Sequence, residues 1–371
     1  MKTSAPPSVA SPKPGVAPPT PRVTPPTPGI APPAPGVAPA RSTRGGATSG
    51  RDIALLVGLG VLGVLAPWLA PHIVTQLAFL WLMILLAVTW DINGGQMGYN
   101  SFGNVFFFGL GVYACALVQR DSGLSYYPAL FIGTALGGFV AALGALVLGP
   151  AILGIRGHYF AIATLGLSIV AADLASAWEY VGAASGMTVP VFPGEIGDRS
   201  RFFYYLLFAL AAITFLAARA LYTTRFGLAM NAIRDNEDKA EAMGLHTTRT
   251  KVFAWCVSAF FLGAAGGPVG NLVGFIDPRD LAFAGATFGV WMVLMAVLGG
   301  KGTLWGPVIG AVIFHVTQEV FWTYLLGWQR VAMGLLIVVI VVFFPTGVAG
   351  WFTRVRRRTQ PVATAPAESV Q

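Results

Sequence analysis

The chain has 371 residues, of which 55% are hydrophobic and only 10% are charged, and its mean hydropathy is +0.70. Soluble domains are about 25% charged, so this composition excludes a soluble globular protein and is typical of a polytopic membrane protein. The formal net charge of +8 does not indicate a nucleic-acid partner, because the Lys and Arg residues are distributed between apolar runs. Both cysteines lie inside apolar runs, so no disulfide or metal site is expected.

The first 52 residues differ in kind from the rest of the chain. From Pro14 onward a seven-residue unit repeats as PGVAPPT, PRVTPPT, PGIAPPA and, truncated, PGVAPA. This density of proline excludes helix and sheet interiors and predicts an extended, disordered tail over residues 1–52. Two interpretations remain open for this tail, a solvated tether and a ligand for a proline-recognising partner.

Residues 53–349 consist of apolar runs, many of them near the roughly 20 residues that a membrane-spanning helix requires. We predict an all-α polytopic membrane domain with about ten transmembrane helices. The eighth is short enough to form a re-entrant segment instead. The ten predicted spans are Ile53–Leu69, Ile73–Trp90, Phe102–Gln119, Pro128–Leu148, Tyr159–Trp178, Phe202–Ala218, Val252–Phe275, Thr287–Leu298, Leu304–Tyr324 and Val331–Ala349.

The distribution of positive charge predicts the orientation of these spans. With ten spans and both termini in the cytoplasm, 18 of the 23 Lys and Arg residues fall in cytoplasmic segments and five in external ones. Lys and Arg favour cytoplasmic loops, so the charge distribution supports this orientation. Residues 350–371 then form a basic cytoplasmic tail.

The segment between the sixth and seventh spans is unusually charged for so apolar a chain. Nine of the 27 residues in 225–251 are charged, in the sequence RFGLAMNAIRDNEDKAEAMGLHTTRTK. No proline or glycine interrupts residues 231–243, opposite charges recur at i, i+4 spacing, and Gly244 stands where a helix would end. The pattern predicts one short amphipathic helix within the cytoplasmic loop 219–251. Two interpretations remain open: the helix docks into a partner, or the segment is an ordinary surface loop whose opposite charges only stabilise its local helical structure.

Four motifs occur in order along the chain: RGHYFAIATLGL at residues 156–167, GAASGMTVP at 182–190, AIRDNEDKAEAMGL at 232–245 and LGGKGTLWGPVIGAV at 298–312. Each is weak alone, but the ordered set, with Lys251 after the third motif, resembles the LivM-type permeases of bacterial branched-chain amino-acid ABC importers. The resemblance covers about residues 91–312. The proline-rich tail lies outside the family pattern.

The resemblance implies a transport subunit of the bacterial inner membrane that carries no catalytic residues and binds no cofactor. Its expected partners are the lipid bilayer, a second homologous permease, two ABC ATPases that hold ATP and Mg, and a periplasmic substrate-binding protein. Nucleic acid is not expected. The charged loop is the expected docking site for an ATPase, through Ala232, Ile233, Ala240, Met243 and Gly244, with Arg234, Glu237 and Glu241 as charged guides.

The chain shows no ATP-binding motif of its own. The sequence GGKGT at 299–303 lacks the spacing Gly-x-x-x-x-Gly-Lys-Ser/Thr that a phosphate-binding loop requires. Glycines at intervals of four residues instead predict close packing between helix backbones. The glycines predicted to pack in this way are Gly263 and Gly267 in the seventh span and Gly302, Gly306 and Gly310 near the ninth.

Five polar residues are candidates for the substrate path. Family members commonly read Gly-Tyr-x-Gly-Gln-x-Ser-x-Gly-His after the second span, whereas this chain reads GQMGYNSFGN. Gln96 and Tyr99 are therefore exchanged, and Asn104 stands where histidine is usual. Asp173 and Asn271 join them because polar side chains are costly inside a membrane and are often functional there.

Three alternatives to branched-chain amino-acid import remain open at this point. A permease of the same family could carry urea, short amides or aromatic acids. A secondary transporter or channel could carry the same glycine-rich helices without an ATPase. A membrane-embedded enzyme fits poorly, because the four histidines are scattered without catalytic spacing.

Overall fold

The computed structural model describes residues 50–324 and, beyond them, positions 327, 328, 331, 334, 335, 338 and 347. Residues 1–49, the tail 350–371 and most of the predicted tenth span, Val331–Ala349, lie outside the described residues. The first helix begins at Gly50, so the last residues that we assigned to the proline-rich tail are helical.

The described part of the chain is mostly helical. Its α-helices are α1 (Gly50–Leu69), α2 (Val74–Gly94), α3 (Val105–Asp121), α4 (Tyr126–Ile152), α5 (His158–Ala177), α6 (Ile196–Thr223), α7 (Arg225–Asp235), α8 (Glu237–Ala242), α9 (Thr247–Val273), α10 (Val290–Gly299) and α11 (Gly306–Tyr324). Two short strands, β1 (Met187–Thr188) and β2 (Phe275–Ile276), pair antiparallel, so the fold is not purely helical.

Six helical segments among the described residues are long and apolar enough to cross a membrane. These are Pro71–Gly94, Tyr126–Ile152, His158–Ala177, Ile196–Thr223, Thr247–Val273 and Pro278–Gly299. The chain is therefore a multi-pass membrane protein. Helices α1, α3 and α11 coincide with three further predicted spans, but the total of ten remains a prediction.

The eighth predicted span is longer in the structure than in the sequence analysis. Two consecutive π-helical turns, Pro278–Ala282 and Gly285–Gly289, precede α10 and extend the segment to 22 residues. The carboxylate of Asp277 accepts hydrogen bonds from the backbone N–H groups of Arg279 and Asp280, which starts this segment. The prediction of Thr287–Leu298 was too short, because it followed the apolar run and did not anticipate the π-helical turns before it.

Helix α9 is the most buried of the six candidate spans and packs against α2, α3, α4 and α6. A Cβ atom on Gly263 would collide with the carbonyl of Gly137 and lie 2.5 Å from the Ala141 Cβ. One on Gly267 would lie 2.8 Å from the Cys115 Sγ. Small residues therefore allow these backbones to approach closely, as expected for packing in lipid.

The α10–α11 hairpin uses glycine in two different ways. A Cβ atom on Gly306 would collide with the Gly300 carbonyl, and one on Gly310 would collide with the Met295 carbonyl, so no side chain would fit at either position. Gly302, by contrast, lies in the turn before α11 with φ of +78°, a conformation that favours glycine. Its prediction as a helix-packing residue is corrected, because its role is to form the turn.

Candidate functional site

The charged loop folds as two helices rather than one. Helix α7 ends at Asp235, Asn236 is extended with φ of −165° and ψ of 108°, and α8 begins at Glu237. The Asn236 side chain accepts a hydrogen bond from the Lys239 N–H at 2.9 Å and so caps α8. The prediction of one helix over 231–243 is wrong, because this local cap competes successfully with a continuous helix.

The break also changes the ion pairs of the loop. Arg234 lies 3.4 Å from its neighbour Asp235, and Asp238 pairs with Arg156 at 2.8 Å, instead of Arg234 pairing with Asp238 along one helix. Gly244 stands just past the end of α8 with φ of +87°, where the sequence placed a helix stop.

A buried ion pair ties α8 to α9. Lys251 Nζ donates to Glu237 Oε1 at 2.7 Å and to the Leu153 carbonyl at 2.7 Å. The Tyr99 hydroxyl donates to Glu237 Oε2 at 2.7 Å and accepts from Lys251 at 3.0 Å, and Arg156 Nε lies 3.2 Å from Glu237 Oε2. We call Tyr99, Arg156, Glu237 and Lys251 the loop anchor. It joins α8, α9, the α4–α5 turn and the segment between α2 and α3.

The electrostatics of the loop anchor favour an ionised Glu237. Burial opposes ionisation, but hydrogen bonds from Lys251 and Tyr99, together with the positive charges of Lys251 and Arg156, lower the pKa of Glu237 below its ordinary value of 4.5. Burial, reinforced by the hydrogen bond to Glu237, raises the pKa of Tyr99 well above its ordinary value. The hydroxyl of Tyr99 therefore remains a donor at physiological pH.

A second group of contacts holds the α10–α11 turn. Asp91 Oδ1 accepts from the Gly302 N–H at 2.7 Å, and Asp91 Oδ2 accepts from the Tyr222 hydroxyl at 3.2 Å. The Gln96 side-chain amide donates to the Gly302 carbonyl at 3.1 Å. We call Asp91, Gln96, Tyr222 and Gly302 the turn anchor. It joins the end of α2, the end of α6 and the α10–α11 turn.

The charged loop also reaches the turn anchor. The Arg234 guanidinium of α7 lies 3.4 Å from the Gly95 carbonyl, one residue before Gln96. The two helices of the loop are thus connected to different parts of the bundle, α7 to the turn anchor and α8 to the loop anchor.

The eight predicted docking residues divide into buried and exposed groups. Ile233 and Ala240 are buried in the chain's own core, and Glu237 is turned inward to the loop anchor. Ile233 and Ala240 are therefore corrected as docking contacts, and Glu237 as a charged guide, because each faces the chain itself. The exposed group contains Arg234, Glu241, Gly244 and Met243, of which Met243 is 86% exposed, while Ala232 is half-buried.

The five predicted substrate-path residues are not brought together. Gln96 belongs to the turn anchor and Tyr99 to the loop anchor, while Asn104 is buried and lies 3.4 Å from the Trp255 indole nitrogen. Asp173 is 60% exposed and forms an ion pair with Arg279 at 2.8 Å, so a cation of the chain itself balances the charge of its carboxylate.

Asn271 lies at the opposite end of α9 from the loop anchor. Its side-chain amide exchanges two hydrogen bonds with that of Gln119, at 2.9 and 3.0 Å, and its oxygen also accepts from the Tyr126 hydroxyl at 2.9 Å. We call Gln119, Tyr126 and Asn271 the amide cluster. This arrangement satisfies buried polar groups within the chain.

Sequence reasoning missed Asp91 and Tyr222, and treated Arg156 and Lys251 only as parts of motifs. A signal for Asp91 was present, because it is a carboxylate at the end of a long apolar run, where an unpartnered charge is costly. Tyr222 carried no such signal, because tyrosine is common near the ends of membrane spans.

Comparison with known proteins identifies the family. The model for "Branched-chain amino acid transport system / permease component" matches residues 72–343. The chain belongs to this family of permeases. The matched region contains the charged loop and both anchors. The resemblance drawn from the four motifs is confirmed.

Several curated relatives are also permeases. The chain is 27% identical over 320 residues to the high-affinity branched-chain amino acid permease LivM of Escherichia coli K12, covering 79% of this chain and 73% of LivM. It is 24% identical over 284 residues to the probable branched-chain amino acid permease LivH of Methanocaldococcus jannaschii, covering 72% and 89%. A galactose/methyl galactoside import permease, MglC of Haemophilus influenzae, is 28% identical over 199 residues, covering 48% and 56%. No solved structure shows significant similarity.

Proposed function

We propose that this chain is the membrane-spanning permease of an ABC importer for branched-chain or related hydrophobic amino acids in a bacterial inner membrane. It works with a second homologous permease, two ATPases that bind ATP and Mg, and a periplasmic binding protein. We also propose that the chain has ten spans and that both termini and the charged loop lie in the cytoplasm. Family membership supports the transport role, and the positive-charge distribution supports the orientation.

The observation that carries the coupling role is the contrast between the outer and inner sides of the charged loop. Its outer side presents Met243, which is 86% exposed, beside the exposed charges of Lys239 and Glu241. Its inner side is fixed by the buried pair of Glu237 and Lys251. An exposed thioether suits docking into a partner's groove, and a buried ion pair holds the docked element to the spans.

The two anchors define how motion of the loop would reach the bundle. Displacement of α8 would act on α9 and the α4–α5 turn through the loop anchor. Displacement of α7 would act through Arg234 on the end of α2 and the α10–α11 turn. Closure of the ATPases would thereby bias the spans between outward-open and inward-open arrangements.

A docking test compares exposed positions at the two ends of the molecule. Met243→Asp removes an apolar contact, and Glu241→Trp adds bulk at the same surface. Each variant, made separately, is expected to reduce ATP-driven uptake into vesicles by about tenfold. ATP hydrolysis by the partner ATPases should continue. Val191→Asp, which changes a residue 92% exposed in the β1–α6 segment, is the matched control and should leave uptake unchanged.

Wild-type uptake by both loop variants would remove the docking assignment. Uptake that proceeds without ATP or an ATPase would instead favour a secondary transporter. Competition for uptake between leucine, urea and an aromatic acid, in the presence of the cognate binding protein, would decide between the substrate classes.

A further inference from the structure

An apolar groove opens between α1, α2, α6 and α11. Its volume is about 270 Å³, and residues that line it include Leu59, Trp81, Phe208, Ala212, Phe215 and Trp305. We call it the α1 groove. Two of its walls, α2 and α6, belong to candidate membrane spans, so the groove lies at membrane depth.

Helix α1 crosses α6 over one short stretch, from Gly63 to Trp68, and the groove lies beyond one end of this crossing. The Tyr204 hydroxyl donates to the Gly63 carbonyl at 2.6 Å, and a Cβ on Gly63 would lie 2.5 Å from the Phe208 ring. One turn away, Gly60 has no neighbouring atom within 4 Å of a Cβ position. The facing residue of α6, Ala212, is also small. The two helices therefore enclose a wedge on the side of the crossing that leads toward the charged loop.

The chemistry of the wedge restricts its occupant. The lining side chains are apolar apart from the indole N–H groups of Trp81 and Trp305, so the charged groups of a zwitterionic amino acid would find no charged partner there. An apolar cavity of about 150 Å³ already accommodates a benzene ring, so the larger α1 groove has room for a hydrocarbon segment. The surrounding solvent at this depth is the lipid acyl chain.

One end of the groove carries a cation. Arg219 follows Leu216 by three residues and Phe215 by four, so it lies one turn farther along the same face of α6. Among the residues that the structure describes, Arg219 forms no ion pair. Trp305, in the α10–α11 turn, lines the same end, and tryptophan is enriched at the membrane interface. The α1 groove is apolar and has an arginine at its interfacial end. A phospholipid has the complementary arrangement, with an apolar acyl chain attached to a negatively charged phosphate.

We propose that the α1 groove binds one acyl chain of an anionic phospholipid, with the headgroup phosphate near Arg219. The lipid comes from the leaflet on the side of the charged loop and fills the wedge between α1 and α6. This inference goes beyond the transport function and does not depend on the identity of the transported substrate.

The test uses the full chain with its partner subunits in phosphatidylcholine vesicles that contain a small fraction of phosphatidylglycerol with a photoreactive diazirine in mid-chain. We expect mass spectrometry to find the label on the groove segments of α6 and α11. Ala212→Phe should reduce this labelling by about tenfold, because a few buried methylene groups account for that much affinity. Ala217→Phe is the matched control, since Ala217 lines a separate apolar groove between α6 and α9.

A second variant that fills the α1 groove tests whether a loss of labelling in Ala212→Phe is caused by misfolding. Gly60→Leu enters open space on α1, so it should abolish labelling without lowering the unfolding temperature. Equal labelling of wild type, Ala212→Phe and Gly60→Leu would overturn the proposal. So would a cross-link to a second permease or to another segment of this chain from a photoreactive amino acid placed at Leu59 in the groove, because the groove would then be an interface between helices.

The headgroup is tested separately. In wild-type protein, photoreactive phosphatidylglycerol should label the groove more strongly than photoreactive phosphatidylcholine, and Arg219→Gln should remove that preference. Equal labelling by the two lipids in wild type would overturn the assignment of an anionic headgroup.

Discussion

The two ends of α9 are held by different polar chemistry. Near its start, the loop anchor pairs the ammonium of Lys251 with the carboxylate of Glu237 at 2.7 Å. Near its end, the amide cluster pairs Asn271 with Gln119 through two neutral hydrogen bonds of 2.9 and 3.0 Å. Lys251, Gln119 and Asn271 are buried and Glu237 is nearly so, and both groups connect α9 to other elements.

The difference lies in what remains when one partner is lost. Losing one of two paired neutral amides leaves a buried polar group unsatisfied, which costs about 1–3 kcal/mol. Losing one partner of a buried ion pair leaves a desolvated charge, which costs about 3–5 kcal/mol. The chain thus places the contact that is more costly to break beside the charged loop, where coupling is proposed, and the less costly one at the other end.

The largest effect is expected from breaking the loop anchor. Lys251→Met leaves Glu237 buried without its main cation and should reduce the free energy of unfolding by about 3 kcal/mol. Denaturant unfolding of the detergent-solubilised protein measures this loss. Lys239→Met, at an exposed lysine of the same loop, is the matched control and should change stability by less than about 0.5 kcal/mol. Similar losses in both variants would contradict the account.

A smaller effect is expected from the amide cluster. Asn271→Leu leaves the Gln119 amide without its partner and should cost about 2 kcal/mol. The double variant Asn271→Leu with Gln119→Leu should recover part of that loss in the same unfolding experiment, because the half-buried Tyr126 hydroxyl still lacks its acceptor. If the double variant is as unstable as the sum of the single variants, the two amides do not act as a pair.

The pH dependence of stability should separate the two ends. The folded-state pKa of Glu237 is lowered from 4.5, so its contribution is fully present above that value and is lost as pH falls through the folded pKa. Between pH 8 and pH 3, the stability difference between wild type and Glu237→Gln should therefore shrink only at the acidic end. Asn271→Leu should differ from wild type by a constant amount. A difference that shrinks near neutral pH in Glu237→Gln would contradict the assigned direction.

The smallest effect is expected at the rim of the loop anchor. The Arg156 side chain is 53% exposed, so its ion pairs with Glu237 and Asp238 are screened by water. Arg156→Gln should cost no more than about 0.5 kcal/mol of stability. A loss as large as that of Lys251→Met would place Arg156, rather than Lys251, at the centre of the anchor.

The sequence was informative where local chemistry decides the structure. The apolar runs predicted a membrane protein, and Gly244 marked the end of α8. Prediction from the sequence failed where a local helix cap or tertiary packing determines the structure. Asn236 divides the predicted loop helix, and the buried side of the loop faces the chain itself rather than a partner.

The predicted substrate path shows the same limit. Gln96 was selected because it departs from the family motif, and Asn271 because it is polar within a span, but the structure places them in separate clusters. Spacing along a chain of apolar helices does not reveal which helices are neighbours, so Asp91 and Tyr222 could not be paired in advance.

The most direct test of the central claim is site-specific photo-crosslinking in the assembled transporter. A photoreactive phenylalanine analogue at Met243 should cross-link to an ATPase subunit, whereas the same analogue at Val191 should not. This result would establish that the exposed side of the charged loop contacts the ATPase. Cross-linking to the ATPase from Val191 would contradict the proposed orientation, and cross-linking from neither position would contradict the docking role.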